Sequence, residues 1–174
     1  GQPALVHCGP FANIAHGNNS LVADRGALKL GDYVVTESGF GSDMGMEKFF
    51  DIVCRAGGLR PNAVVLVVTV KALKHHAGEP DGGPAAVERG AANLARHLEI
   101  IKGFGLKAVV AVNRFPGDPA DEVELVQKLA LELGAHAAEL NEGFEQGGAG
   151  ARALSEAVVD AAEQENDFDF AYPL

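Results

Sequence analysis

The sequence predicts an α/β protein: a mostly parallel sheet of about five strands with helices on both faces, built as one domain over residues 1–174. Three observations carry this reading. Short apolar runs alternate along the chain with stretches whose apolar residues recur at helical spacing. One run, residues 62–70, is apolar and bounded by polar segments, as a parallel strand buried on both faces reads. The 174 residues, 47% of them hydrophobic, suffice for one packed core and argue against disorder.

Residues 4–8 read as the first strand and 19–30 as the first helix. Residues 32–37 are the second strand. A helix follows over 43–56, with Met46, Phe49, Phe50 and Val53 on one stripe and Gly57 as its stop. The third strand, 62–70, leads into a polar, Gly- and Pro-rich loop over 71–84. Val87, Ala91, Leu94, Leu98 and Ile101 then mark a helix that ends at Gly103 and Gly105. Residues 107–113 are the fourth strand. Asp118 and Pro119 open the next helix as cap and first helical residue, with Asp121 and Glu122 in the first turn, where the helix dipole favours negative charge. Gly134 closes it. A weaker fifth strand, 135–140, and a helix over 150–164 complete the alternation.

The formal charge is −10 and the cations are not clustered, which argues against a nucleic-acid partner. No eighteen-residue apolar stretch occurs, so no membrane span is expected. The start, Gly1-Gln2-Pro3, has neither the basic nor the apolar region of a leader, and the expected location is the cytoplasm. Cys8 and Cys54 form no C-x-x-C pair and read as two reduced thiols. The absence of an initiator Met, and Phe168, Phe170, Tyr172 and Leu174 crowded into the last residues, predict an internal piece of a larger protein.

Open parallel sheets bind ligands beyond the carboxyl ends of their strands, so five loops matter. The first holds His7, Asn13 and His16, which read either as capping groups or as a polar pocket wall; the two His are too far apart for a helical metal pair, and no metal site is assigned. The second, Thr36-Glu37-Ser38-Gly39-Phe40-Gly41-Ser42-Asp43, pairs an acidic strand end with a glycine turn entering a helix, an arrangement suited to phosphate or metal. Asp43 reads equally as a plain N-cap. The third, with Lys71, Lys74, His75 and His76, is either a solvated basic loop or an anion-binding one. In the fourth, Asn113-Arg114-Phe115-Pro116-Gly117-Asp118, Phe115 held by Pro116 suits stacking on a flat ring. Guanine recognition is disfavoured there, because Asp118 stands too far from Asn113. The fifth runs from Leu140 through Phe144 to Gly147-Gly148. For each Phe, ordinary core packing is the competing reading.

The segments VHCGPFANIAHGNNS, DYVVTESGFGSDMGMEKFFDI, AVVLVVTVKALKHHAG, AVVAVNRFPGD and ELNEGFEQGG together closely resemble the formate–tetrahydrofolate ligase family, in the family's order and almost end to end. The resemblance implies part of a P-loop-NTPase-like fold. It implies an enzyme that uses ATP and Mg²⁺ to activate formate as formyl phosphate and passes the formyl group to tetrahydrofolate. Monovalent cations assist family members, and bacterial members are commonly homotetramers, so a homo-oligomer is implied. By the same resemblance Phe115, Pro116, Leu140 and Phe144 line the flat-ring site, and Phe40 lies near the reacting end. Glu37 and His76 are the catalytic candidates; His7, Asn13, His16, Asp43 and Lys74 form the pocket wall.

The chain departs from the family pattern at several positions. Phe144 stands where the family usually has Trp, Lys71 where it has Arg, Ala77 where it has Gly, and Cys8 where it has Gly. Lys lacks the planar fork of Arg. No G-x-x-x-x-G-K-[ST] phosphate loop occurs; in the family it lies upstream, so this chain carries mainly the folate-facing loops and, alone, is expected to be inactive. The alternative is a short, non-catalytic paralogue that serves as a ligand-binding or assembly module, or a structural domain with vestigial loops.

Overall fold

The structure, a computed structural model, describes residues 15–174. The predicted first strand over 4–8, with His7 and Cys8, and Asn13 of the loop after it lie outside the described residues. The chain groups into two compact units, Gly1–Arg60 with Phe170–Leu174, and Pro61–Asp169.

In the first unit, helix α1 (Leu21–Ala27) starts at Ser20, whose hydroxyl accepts from Ala23 N at 3.1 Å. The expected strand over 32–37 is absent: the segment is irregular, and Tyr33 and Val35 are exposed. Alternating apolar residues favour a strand only where a neighbour supplies hydrogen bonds and cover, and no described strand pairs here. The helix expected over 43–56 is wound wider than an α-helix, as π-turns over Gly41–Met46 and Phe49–Cys54, closed by α2 (Arg55–Gly57). Its stripe holds: Met46, Phe49, Phe50 and Val53 are all buried. The left-handed stop falls at Gly58 (φ 64°), one residue beyond Gly57. Arg55 binds the Asp51 carboxylate at 2.9 Å and the Tyr172 carbonyl at 2.7 Å, and its guanidinium lies 4.1 Å and 4.8 Å from the ring centres of Phe170 and Tyr172.

The second unit is a parallel α/β layer. Strands β1 (Ala63–Val68), β2 (Lys107–Asn113) and β3 (Ala137–Asn141) form its sheet among the described residues, in the order β1-β2-β3. Val64 pairs with Ala108, Val109 with Ala137 and Asn113 with Asn141. Among the described residues the sheet is therefore three-stranded; of the about five strands expected, the one over 4–8 lies outside them. Burial also differs from the expectation. β2, in the middle, has Ala108–Val112 buried, whereas β1 lies at an edge and leaves Val65 and Val67 exposed.

Two connections depart from the sequence reading. Residues 71–84 are not all loop: helix α3 (Val70–His76) follows β1 at once, capped by the Thr69 hydroxyl, which accepts from Ala72 N at 2.9 Å. α3 packs against α4 (Pro84–Gly103) through Gly90, where a Cβ would lie 2.0 Å from the Leu73 carbonyl oxygen. Asp118 does not cap the next helix, α5 (Ala120–Glu132). Pro119 occupies the cap position, and Asp118 instead closes its own turn, accepting from Phe115 N at 2.9 Å while its N–H donates to the Phe115 carbonyl at 3.0 Å. After β3 come a short turn, α6 (Gly143–Gln146), a 3₁₀ segment (Gly147–Ala151) and α7 (Arg152–Glu163), where one helix over 150–164 was expected. The aromatic end finds partial cover: Phe168 is buried, with Asp167 N and Asp169 N donating to the Gly105 and Phe104 carbonyls.

Candidate ring-binding site

β2 and β3 end side by side at Asn113 and Asn141. The Asn141 amide donates to Asn113 Oδ1 at 2.7 Å, and Asn141 Oδ1 accepts from Gly143 N at 3.1 Å. Arg114 N donates to the Asn141 carbonyl at 3.4 Å. These bonds join the two loops at their roots, so the side chains that follow leave the sheet from fixed positions.

An open cavity of about 310 Å³ lies between these loops, lined by Arg114, Phe115, Pro116, Gly117, Glu142 and Glu145. One wall is the Phe115–Asp118 turn, with the Phe115 ring 55% exposed. The facing wall carries two carboxylates. Glu142 is oriented by Arg114 Nη1 at 3.1 Å and by Gln146 Nε2 at 2.8 Å; Glu145 N donates to the Glu142 carbonyl at 3.1 Å, and no hydrogen bond or ion pair joins the Glu145 side chain to another described residue. An apolar ring face beside hydrogen-bond acceptors suits a flat heteroaromatic ligand that carries N–H donors.

The structure brings together only part of the expected ring set. Phe115 and Pro116 line the cavity. Leu140 is half-buried in β3 and Phe144 is fully exposed in α6; neither is in the cavity wall. Arg114, Glu142 and Glu145 are contributors the sequence reading missed. Their signal was position, directly after a strand end or one turn beyond it.

Lys74 carries no free charge toward a ligand: its Nζ lies 2.6 Å from Glu122 Oε2, with the two side chains 13% and 4% exposed. His76 is exposed and packs edge-on against His75, ring centres 6.3 Å apart.

In the first unit, the residues after position 36 form a second turn. Gly45 lets it close, since a Cβ there would lie 1.9 Å from the Gly39 carbonyl oxygen. Phe40 is 88% exposed, and Glu37, Asp43 and His16 are exposed. No hydrogen bond or ion pair joins Glu37 to another described residue. Behind this turn Asn18 donates to Thr36 Oγ1 at 2.6 Å and to the buried Asp24 at 3.4 Å. Burial, and then the Asp24 charge, push the Cys54 thiol up to about 12, so it is an inert protonated group at neutral pH.

At the strand ends of the second unit the described residues do not fit a phosphate–Mg²⁺ centre, because Lys74 there is matched by Glu122. No helix among the described residues is long and apolar enough to cross a membrane.

The family model described as formate–tetrahydrofolate ligase matches residues 1–174. Curated proteins of that name are similar along nearly the whole chain: 52% identity over 186 residues in Desulforamulus reducens, covering 99% of this chain and 33% of the relative; 52% over 180 in Haloarcula marismortui, covering 98% and 32%; and 53% over 180 in Bacillus licheniformis, covering 100% and 32%. The chain thus spans about a third of the length of the curated relatives it matches.

Proposed function

The chain belongs to the formate–tetrahydrofolate ligase family, and we propose that within such a ligase it supplies the seat for the pterin ring of tetrahydrofolate. The observation that carries this reading is the cavity between the Phe115–Asp118 turn and the Glu142–Glu145 turn, at the carboxyl ends of adjacent parallel strands. Phe115 and Pro116 offer one stacking face. Phe144, exposed on the neighbouring turn, is free to close on the other. Glu142 and Glu145 face the ring edge as acceptors.

The whole ligase would activate formate as formyl phosphate with ATP and Mg²⁺. The folate amine then forms a C–N bond to the formyl carbon as the C–O bond to phosphate breaks, and the amine loses a proton. Holding phosphates and neutralising their charge is the main demand of the first step. That demand is not met at the strand ends of the second unit, and in this reading it falls to other parts of the ligase. The purified chain is therefore expected to form no formyltetrahydrofolate from ATP, formate and tetrahydrofolate; product formed in proportion to chain concentration would overturn this division of labour.

The ring seat itself is tested in a full-length ligase carrying these residues. Phe115→Ala and Phe144→Ala should each lose about 1 kcal/mol of stacking, roughly a fivefold rise in the tetrahydrofolate KM, with the ATP KM nearly unchanged. Parental folate kinetics in both variants would remove the seat.

A further inference from the structure

We propose that the buried Lys74–Glu122 ion pair is the positioning device of the Phe115–Asp118 turn. The pair joins two elements that both rise from strand ends. Lys74 belongs to α3, which follows β1 and is held close to α4 by the absence of a side chain at Gly90. Glu122 lies in the first turn of α5, which follows β2. Nζ and Oε2 are 2.6 Å apart and both side chains are largely shielded from water; charge holds the two together without an aligned hydrogen bond, since Oε2 has no hydrogen-bond partner. Such a pair adds little net stability, because desolvating two charges offsets most of their attraction. What it does supply is one preferred distance between α3 and α5.

That restraint passes to the ring through a short, bonded path. Val123 N donates to the Pro119 carbonyl at 3.1 Å, fixing the start of α5 to the turn. Asp118 then closes the turn onto Phe115 in both directions, through its carboxylate and its N–H. Fixing Glu122 therefore fixes the height and angle at which the Phe115 ring meets the cavity. Lys74 and Glu122 touch no ligand in this reading; they act through the turn. The inference rests on the reading of Phe115 as a pterin-stacking residue, and its test keeps the two apart.

The chain contains no Trp, so Phe115→Trp places a single reporter indole in the turn. In that background, Glu122→Gln, Lys74→Met and the double variant Lys74→Met/Glu122→Leu are compared by steady-state anisotropy and acrylamide quenching, which report motion and exposure of the indole. The expected result is a loss of anisotropy and steeper quenching in all three. The double variant is decisive, because an apolar pair restores packing without restoring the charge-fixed geometry. If it folds with parental stability and its indole is as rigid and shielded as in the parent, the pair is only a staple and the proposal fails. Titrating tetrahydrofolate into the Phe115→Trp chain with Lys74 and Glu122 intact addresses the pterin reading separately. Unchanged emission there counts against the ring seat, while the anisotropy comparison still decides the positioning role.

Discussion

Two turns of this molecule end in an exposed aromatic residue, and they are held in different ways. The turn at Phe115 is fastened by a carboxylate to its own backbone and followed by a helix whose first turn carries a buried charge pair. The turn at Phe40 is fastened by backbone closeness at Gly45, and behind it Asn18 donates to the Thr36 hydroxyl and to the Asp24 carboxylate. A turn fixed by charge has steep, directional restraints. One fixed by close backbone packing tolerates loss of a single polar contact but no added volume. The first arrangement suits presentation of a ring at one angle. The second leaves Glu37 exposed.

The comparison breaks most readily at Glu122. Glu122→Leu alone leaves Lys74 shielded from water and uncompensated, and should lower the unfolding free energy by about 3–5 kcal/mol. Adding Lys74→Met should recover most of that loss, because two apolar side chains fill the space without a buried charge. Urea unfolding of the chain and its variants measures both. Additive losses in the double variant would show that the two charges do not act as a pair.

A smaller effect should mark the other unit. The folded Cys54 thiol sits near 12 instead of its ordinary 9.0 because burial disfavours the thiolate, and the Asp24 charge adds to this. The folded state then holds this proton more tightly than the unfolded chain does. That contribution is fully present below about pH 9 and drains away as pH rises toward 12. Lysines also titrate in this range, so the relevant quantity is the difference between the parent and Cys54→Ala. The parent should lose stability more steeply above pH 9, and its thiol should resist iodoacetamide until urea exposes it. Parallel pH profiles for parent and variant would place Cys54 in contact with water.

These contrasts also show what could be read from the residues alone. β1 and β2 were legible because continuous runs rich in Val and Ala between polar ends admit few other structures, and α4 because Val87, Ala91, Leu94, Leu98 and Ile101 keep helical spacing over about four turns. The stripe of Met46, Phe49, Phe50 and Val53 was legible as a buried face, but the wider winding was not, since both windings bury the same residues. Tyr33, Val34 and Val35 looked like a strand because propensity is local and strand pairing is not. α3 was hidden by Gly78, Gly82, Gly83 and the charges of Lys71 and Lys74, although Thr69 and Ala72 gave a capping signal. At the site, Phe115 and Pro116 announced themselves as an aromatic and a rigid neighbour at a strand end. Arg114, Glu142 and Glu145 did not, because a charge at a loop start is ordinary until the neighbouring loop is known to face it.

The smallest structural effect is expected at Glu37, and it sharpens the contrast with Glu122. Both are acidic residues near the loops that the parallel-fold rule marks for ligands, but Glu122 is buried against a cation, whereas Glu37 is exposed and bonded to no other described residue. Glu37→Gln should therefore change stability by no more than about 0.5 kcal/mol. Its effect should appear in turnover by a full-length ligase carrying these residues. If Glu37 helps hold Mg²⁺, the Gln variant needs more Mg²⁺ at an unchanged tetrahydrofolate KM, because an amide oxygen binds the ion less strongly than a carboxylate. If instead it accepts the proton from the folate amine, kcat falls and the acid limb of the pH profile is altered, at parental Mg²⁺ dependence, because the amide cannot take up that proton. A Gln variant that matches the parent in Mg²⁺ requirement, kcat and pH profile would leave Glu37 as an exposed surface carboxylate.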